Sequence, residues 1–151
     1  MRDENFGAFL DDGVRDHDGG IHTAVEAWCA DRAAAKAKYG HIASWDTSAI
    51  TDMSCLFISR ADFNEDISRW DVSNVKNMGS MFEGATSFNG DLSLWAVGQV
   101  GHMDFMFHGA TSFDRELGGA WATSTADKYC MFRNSPGSIA GKINNADGTP
   151  Q

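Results

Sequence analysis

A 25-residue spacing of large aromatic side chains constrains the fold of this chain more than any other feature. Four tryptophans carry it, three at a step of 25 and the last after 26: Trp45, Trp70, Trp95 and Trp121. Four phenylalanines keep the step of 25 throughout: Phe57, Phe82, Phe107 and Phe132. A unit this short cannot bury its own apolar face, so successive units are expected to stack into a solenoid. We predict these eight rings to be stacked core positions, here called rungs, because large aromatics dominate core burial. An exposed tryptophan column that binds carbohydrate is the alternative.

Each repeat contains two kinds of local pattern. Asp91–Val97 has the pattern of a short strand, as do its counterparts Asp66–Val72 and Glu116–Ala122. Val100–Phe107 has apolar residues at steps of three to four, which indicate a helical or 3₁₀ turn. One strand and one turn per 25 residues is the pattern of a leucine-rich repeat. The predicted fold is therefore an α/β repeat solenoid, a short right-handed leucine-rich-repeat-like coil with a small parallel sheet.

An amphipathic helix is predicted before the repeats, over Ile21–Tyr39. One apolar stripe runs along it: Ile21, Val25, Trp28 and Cys29. Thr23 and Glu26 have the spacing of a capping box. A break before Asp31, with Asp31 capping a second short helix, is the alternative. Because the end of a solenoid exposes its core, we expect this helix to cap the first repeat and Trp28 to plug it.

The chain accordingly divides into four parts. They are an acidic N-terminal arm (1–20), the capping helix (21–40), a repeat solenoid of about three to four 25-residue repeats (41–133), and a C-terminal cap with a polar tail (134–151). Within the last part, Ser138–Ile143 is predicted to add an edge strand. Asn144–Gln151 has the composition of a mobile tail.

Charge and hydropathy exclude several classes of partner. The net charge is −9, from 21 acidic and 12 basic residues, and no basic cluster exceeds the pair Lys36 and Lys38. Such a surface repels phosphate backbones and anionic membranes, so no nucleic-acid binding is predicted. No apolar run reaches the ~20 residues of a membrane span. Met1–Asp18 lacks the hydrophobic segment of a signal peptide, which leaves the compartment open.

The residues that often carry chemistry show no catalytic arrangement. The three cysteines have no zinc-ligand spacing, nor do the histidines, and no nucleophile–base motif occurs. Cys55 and Cys130 lie three repeats apart, too far for a disulfide. Cys29 with Cys55 remains possible, and buried free thiols are the alternative. The prediction is a protein that is not an enzyme, with no catalytic residue and no cofactor.

A ladder of acidic and amide residues is the most suggestive polar feature. Equivalent positions of three repeats carry the pairs Asn64/Asp66, Asn89/Asp91 and Asp114/Glu116. In the structural interpretation, these side chains accept hydrogen bonds from turn amides. In the other, a hard cation such as Ca²⁺ bridges the repeats through Asp66, Asp91 and Glu116. Because no loop matches an EF-hand, we predict that no metal is bound. If a cation were bound, Asp66, Asp91 and Glu116 would be its candidate ligands.

Three strings carry a family resemblance: WDTSAITDMSCLF, FNEDISRWDVSNVKNMGSMFEGATSFNGDLSLW and FMFHGATSFDRELGGAW. They resemble the BspA-like leucine-rich-repeat surface proteins, whose repeat is approximately WDVSxVTxMxxMFxxAxxFNxDIS. The resemblance covers about Ile42–Phe132. It implies display outside the cell or at its surface, protein binding, and no enzyme activity. The last copy departs from the pattern, with Lys128 at the repeat methionine, as in a terminal cap.

Two functional hypotheses follow. The first is a non-catalytic protein–protein recognition or adhesion module, whose specificity would come from variable positions between the rungs: Arg69, Lys76, Leu94, His102 and Arg115. The alternative is a structural subunit docked in a larger, possibly membrane-associated, assembly. An organellar or intracellular complex is then the alternative to the cell surface. Both hypotheses require a protein partner, and the sequence does not identify the residues that bind it.

Overall fold

The computed structural model describes residues 20–151. Its elements, in chain order, are the helices α1 (Ile21–Ala30) and α2 (Arg32–Tyr39), a 3₁₀ helix (Ile42–Ser44), the strand β1 (Glu116–Leu117), the helix α3 (Ala120–Thr123) and the strand β2 (Ser138–Ile139). No helix within these residues has both the length and the apolar character that crossing a membrane requires.

The predicted N-terminal helix is two helices. The break occurs at Asp31, whose carboxylate accepts a hydrogen bond from the backbone N–H of Ala34 at 3.1 Å. This confirms the alternative in which Asp31 caps a second helix. The capping box was wrong, since α1 starts after Gly20 and places Thr23 inside the helix, with no side-chain cap.

α1 covers the first repeat with three residues of its predicted stripe, Ile21, Val25 and Trp28, whereas Cys29 is exposed. The ring of Trp28 is edge-on to that of Trp45, with 6.0 Å between their centroids. His22 Nε2 lies 2.9 Å from the backbone oxygen of Ser54, which ties the start of α1 to the same repeat. Because Trp28 is 3% exposed, the helix and the first repeat share one apolar core.

Equivalent residues of successive repeats lie side by side. Four of them form a column of parallel bridges, here called the bridge column: Asp52, Asn77, His102 and Asp127. Backbone hydrogen bonds continue the pairing, for example from Met53 N to Asn77 O at 2.9 Å and from Phe57 N to Met81 O at 2.8 Å. Since these bonds recur in each repeat, the backbone amides of one repeat are satisfied by the carbonyls of the next.

The aromatic positions form buried columns. Phe57, Phe82, Phe107 and Phe132 stack with centroid distances of 5.4 to 5.5 Å. All eight predicted rungs are at most 3% exposed. A carbohydrate platform needs an open ring face, which these tryptophans do not have. Their indole N–H groups donate to carbonyls, as Trp70 does to Ile42 O at 2.8 Å and Trp95 to Ile67 O at 3.1 Å.

The predicted strands are largely absent from the described part of the chain. Asp66–Val72 and Asp91–Val97 consist of turns and irregular backbone, and only Glu116–Leu117 of the third segment is a strand. That strand, β1, pairs in parallel with β2. Asp66 explains part of the difference, because its carboxylate binds the N–H of Ser68 and closes a tight turn where a strand was expected.

The predicted helical turn over Val100–Phe107 is also a series of tight turns. One residue in each repeat there is left-handed, with φ between 53° and 57°: Cys55, Ser80, Phe105 and Cys130. A left-handed residue interrupts a helix. Its N–H then donates to the neighbouring repeat, as Ser80 N does to Asp104 O at 2.9 Å.

The C-terminal segment, predicted to be a mobile tail, makes specific bonds to the last repeat. Phe132 N donates to Gly148 O at 2.9 Å, and Cys130 N donates to the Thr149 hydroxyl at 2.8 Å. Gly148 has φ +81°, and a Cβ there would overlap the backbone nitrogen of Arg133. The segment therefore supplies the acceptors that a further repeat would otherwise offer.

All three cysteines are free. Cys29 is exposed, Cys55 is half-buried and Cys130 is buried. The disulfide between Cys29 and Cys55 is therefore not formed, and the interpretation of buried thiols applies fully to Cys130 alone.

Candidate functional site

The five variable positions proposed to set specificity are all exposed: Arg69, Lys76, Leu94, His102 and Arg115. Leu94 is the most prominent apolar one, with 86% of its surface exposed. Arg115 is partly engaged, since its Nη2 donates to Asn89 O at 2.9 Å. None of the five lines the cleft described below.

The asparagines of the acidic ladder join successive repeats. Asn64 Oδ1 accepts from the backbone N–H of Asn89, and Asn89 Oδ1 accepts from that of Asp114, each at 3.0 Å. The structural interpretation predicted hydrogen bonds of this kind, from turn N–H groups to the ladder side chains. In addition, each of these bonds crosses from one repeat to the next. Two backbone donors that would otherwise lie between repeats are satisfied in this way.

The ladder carboxylates are used mainly within their own turns. Asp66 accepts from Ser68 N and Asp91 from Ser93 N, each at 2.9 Å. Hydrogen bonding to the serine hydroxyl and then to its N–H lowers the pKa of both carboxyls. Glu116 lies in β1 and is exposed. Since Asp66 and Asp91 each have an oxygen engaged in a turn, the ladder offers a cation few free ligands.

A cleft of about 660 Å³ lies between α1, the start of α2 and the first repeat, and is here called the α1 cleft. Its lining comes from the two sides: Trp28, Cys29, Arg32, Ser59, Arg60, Ala61, Asp62 and Phe63. The helical residues come from both sides of the break at Asp31: Trp28 and Cys29 lie near the end of α1, and Arg32 begins α2. The other residues belong to the turn that follows the Phe57 rung.

Trp28, one of the residues that line this cleft, has an unusual indole N–H. Within residues 20–151, this N–H is buried and has no hydrogen-bond partner. The four repeat tryptophans all donate theirs to backbone carbonyls, at 2.8 to 3.1 Å. A buried donor without an acceptor costs free energy, so an exception among five tryptophans calls for an explanation.

The α1 cleft also has two arginines in a chain of net charge −9. The guanidinium carbon of Arg32 lies 5.7 Å from the centroid of the Trp28 ring, and its Nη2 lies 3.1 Å from Glu65 Oε1. Arg60 is partly buried on the opposite wall. Asp62 is the one carboxylate among the lining residues that the structure describes.

Cys29 is not an activated thiol. Partial desolvation by the surrounding residues raises the pKa of the Cys29 thiol above 9.0, although the positive charges of Arg60 and Arg32 act in the other direction. A raised pKa keeps the sulfur protonated at neutral pH, whereas a nucleophilic cysteine needs the thiolate. To a ligand, the lining residues offer hydrogen-bond donors and positive charge beside the apolar faces of Trp28 and Phe63. An anionic group attached to an apolar one has the matching properties.

Sequence reasoning assigned Trp28 to the core and did not identify this cleft. The repeat spacing does contain a signal for it. Arg60 stands where the next two repeats have Ala85 and Ala110, and both alanines are fully buried. A long charged side chain at a position that is otherwise buried is tolerated in the first repeat, whose outer side is met by α1 and not by another repeat.

The chain was compared with models of protein families. The model described as "Mycoplasma protein of unknown function, DUF285" matches residues 28–145, more than half of the chain. Neither a curated protein nor a solved structure matches the chain.

Proposed function

The chain belongs to DUF285, the family of BspA-like repeat domains, and from this premise we propose that it is a non-catalytic protein-recognition or adhesion module. The α1 cleft is its proposed binding site. The proposed ligand is a segment of a partner protein with a carboxylate side chain next to an apolar one. The repeat resemblance supports a location at the cell surface or outside the cell.

The buried N–H of Trp28, which has no partner within residues 20–151, is the observation that carries this proposal. Binding would turn the indole so that this N–H faces the cleft, where a ligand carboxylate would accept from it and would approach Arg60 and Arg32. Charge-assisted hydrogen bonds of this kind are about twice as strong as neutral ones. The apolar neighbour of the carboxylate would contact Phe63 and the Trp28 ring. Both sides of the cleft have hydrogen-bonded backbone, one in a helix and the other in a turn, so we expect little backbone ordering on binding.

The test is selection of random linear peptides on the full chain. We expect enrichment of Asp or Glu beside an aromatic or aliphatic residue. A selected peptide is then synthesised with the acid and with its amide, and both are titrated by fluorescence anisotropy. The amide should bind at least about tenfold more weakly, since one charge-assisted bond is worth about 1.5–3 kcal/mol.

Variants locate the binding within the chain. Arg60→Ala should weaken binding of the acidic peptide about as much as replacing the acid of the peptide by its amide does. Trp28→Phe keeps an aromatic ring but removes the donor, so it should weaken binding as well. Arg69→Ala is the matched control, because it removes an exposed arginine outside the cleft. Equal affinity for wild type and Arg60→Ala, or no enrichment of acidic peptides, contradicts the proposal.

The exposed side chains of Leu94 and Ile143, at 86% and 81%, favour a second candidate: a structural subunit of a larger assembly, in an organelle or in the cell. In such an assembly, a partner would cover these apolar groups. Gel filtration of native extract separates the two candidates. A subunit elutes at the size of a stoichiometric complex, and a recognition module elutes as a free chain.

A further inference from the structure

We propose that His102, Asp104 and Asp127 form a binding site for a first-row divalent cation such as Zn²⁺. Each residue offers one ligand atom, and these atoms all lie within 4.8 Å of one another. His102 and Asp104 belong to one repeat and Asp127 to the next. The site is separate from the α1 cleft and does not depend on the function proposed for it.

His102 differs from the rest of the bridge column. The side chains of Asp52, Asn77 and Asp127 accept the N–H two residues ahead, at 2.8 to 3.0 Å, and so close a turn. Within residues 20–151, the imidazole of His102 has no hydrogen-bond partner and is exposed. The turn-closing role of the other bridge-column side chains therefore does not explain why this position is a histidine. The ring nitrogens of His102 are free to bind a ligand.

Asp104 lies in a space left open by a glycine. A Cβ at Gly79 would meet Asp104 Oδ1 at 3.3 Å and Asn77 Oδ1 at 3.2 Å, closer than ordinary contact. The backbone of Gly79 does not need glycine's left-handed region. The room at Gly79 therefore serves these two side chains. Asp104 is half-buried, and its carboxylate has no hydrogen-bond partner within the described residues.

The backbone holds the three residues firmly. His102 pairs with Asp127 in a parallel bridge, Met103 N donates to Asp127 O at 2.7 Å, and Ser80 N donates to Asp104 O at 2.9 Å. Ligands around a tetrahedral ion with bonds of about 2.1 Å are about 3.4 Å apart. Rotation of the three side chains, two of them exposed, can close the difference without moving the backbone.

The ligand set selects the kind of cation. Imidazole with two carboxylates suits zinc and its first-row neighbours, and the exposed side of the site leaves positions for water. Calcium needs about six to eight oxygen ligands, and these residues do not supply them. The net charge of −9 adds a general attraction for cations. The repeat spacing could have revealed this cluster, since His102 and Asp127 are equivalent positions and Asp104 follows His102 by two residues.

The test is calorimetric titration of the full chain with ZnCl₂ in a buffer that does not bind zinc. We expect one equivalent of Zn²⁺ per chain. His102→Ala, Asp104→Asn and Asp127→Asn should each raise the dissociation constant at least about tenfold. His108→Ala is the matched control, because the His108 ring lies 3.2 Å from Glu83 and outside the cluster. The affinity of this variant for zinc should stay at the wild-type value.

Two further measurements keep the proposal open to contradiction if a ligand variant fails to fold. Gly79→Ala should weaken zinc binding by displacing Asp104, whereas Gly98→Ala, with open space around it, should not. The Co²⁺ complex should show no thiolate charge-transfer band. Absence of saturable zinc binding, equal binding by His102→Ala and wild type, or a thiolate band that assigns the ion to a cysteine would overturn the proposal.

Discussion

Replacing Trp70 tests whether the tryptophan column carries the stability of the fold. The ring is 3% exposed and lies between two other aromatics, with its centroid 6.2 Å from that of Trp45 and 5.9 Å from that of Phe57. Its indole N–H donates to Ile42 O at 2.8 Å. Trp70→Ala removes all of these contacts and leaves a cavity in the middle of the column.

The size of the effect follows from these contacts. Truncation of a buried tryptophan costs about 3–5 kcal/mol, because the lost transfer free energy adds to the cavity term. Trp70→Phe keeps most of the stacking but removes the donor. Ile42 O still accepts from Trp45 N at 3.3 Å, so the carbonyl keeps a partner. The cost of Trp70→Phe should therefore stay near the net value of one hydrogen bond, about 0.5–1.5 kcal/mol, plus a small loss of buried area.

Urea denaturation followed by circular dichroism measures both variants against wild type. The midpoint should fall in the order wild type, Trp70→Phe, Trp70→Ala at an unchanged slope, since an altered slope would indicate a change in the surface exposed on unfolding. Leu94→Ala is the control: its side chain is 86% exposed, and its effect should stay within about 0.5 kcal/mol. A decrease of less than about 1 kcal/mol in the free energy of unfolding of Trp70→Ala refutes the reasoning, because truncation of a ring buried in a packed column should cost more than that.

Three further predictions concern the backbone, a half-buried lysine and the acidic ladder. Ser80 has φ +56°, so Ser80→Gly should raise the denaturation midpoint by relieving about 1–2 kcal/mol of left-handed strain, less about 0.5–1 kcal/mol of added chain entropy; a lower midpoint contradicts this. Burial, with a smaller contribution from Lys142, lowers the pKa of Lys128 from its ordinary 10.5. Between the folded-state and the unfolded-state pKa of Lys128, the unfolded chain holds more protons, so the stability of the wild type should rise with pH towards about 10.5. Urea denaturation at about pH 8 and about pH 10.5 measures this rise, which should be smaller in Lys128→Met. Calcium at 100-fold above a dissociation constant would add about 2.7 kcal/mol, but we expect no change in melting temperature for wild type or Asp91→Asn; a calcium-induced rise that Asp91→Asn abolishes would make the ladder a cation site.

The period of the chain was open to prediction, and so were the stacked positions. Spacing alone identified eight of the aromatic residues that the structure buries, because large apolar rings at one interval have no other way to leave water. It also indicated a helix before the repeats and a break at Asp31. These inferences rest on properties of single residues and on register, which the sequence displays directly.

The local backbone could not be predicted in the same way. Left-handed residues such as Ser80 and Phe105 have no sequence signal, since neither residue type favours positive φ. They are stabilised by hydrogen bonds to the neighbouring repeat, which exist only after stacking. For that reason, the structure has mostly tight turns where strands and helical turns were predicted.

The sequence by itself determined the 25-residue period, the buried rings and the family to which the chain belongs. Only the tertiary structure decided which polar groups meet. Within residues 20–151, it left the buried N–H of Trp28 without an acceptor, and it brought His102 and Asp104 next to Asp127 of the following repeat. The physical reason is distance: burial follows from the apolar character of one residue, whereas a binding site requires side chains from separate turns to converge within a few ångströms.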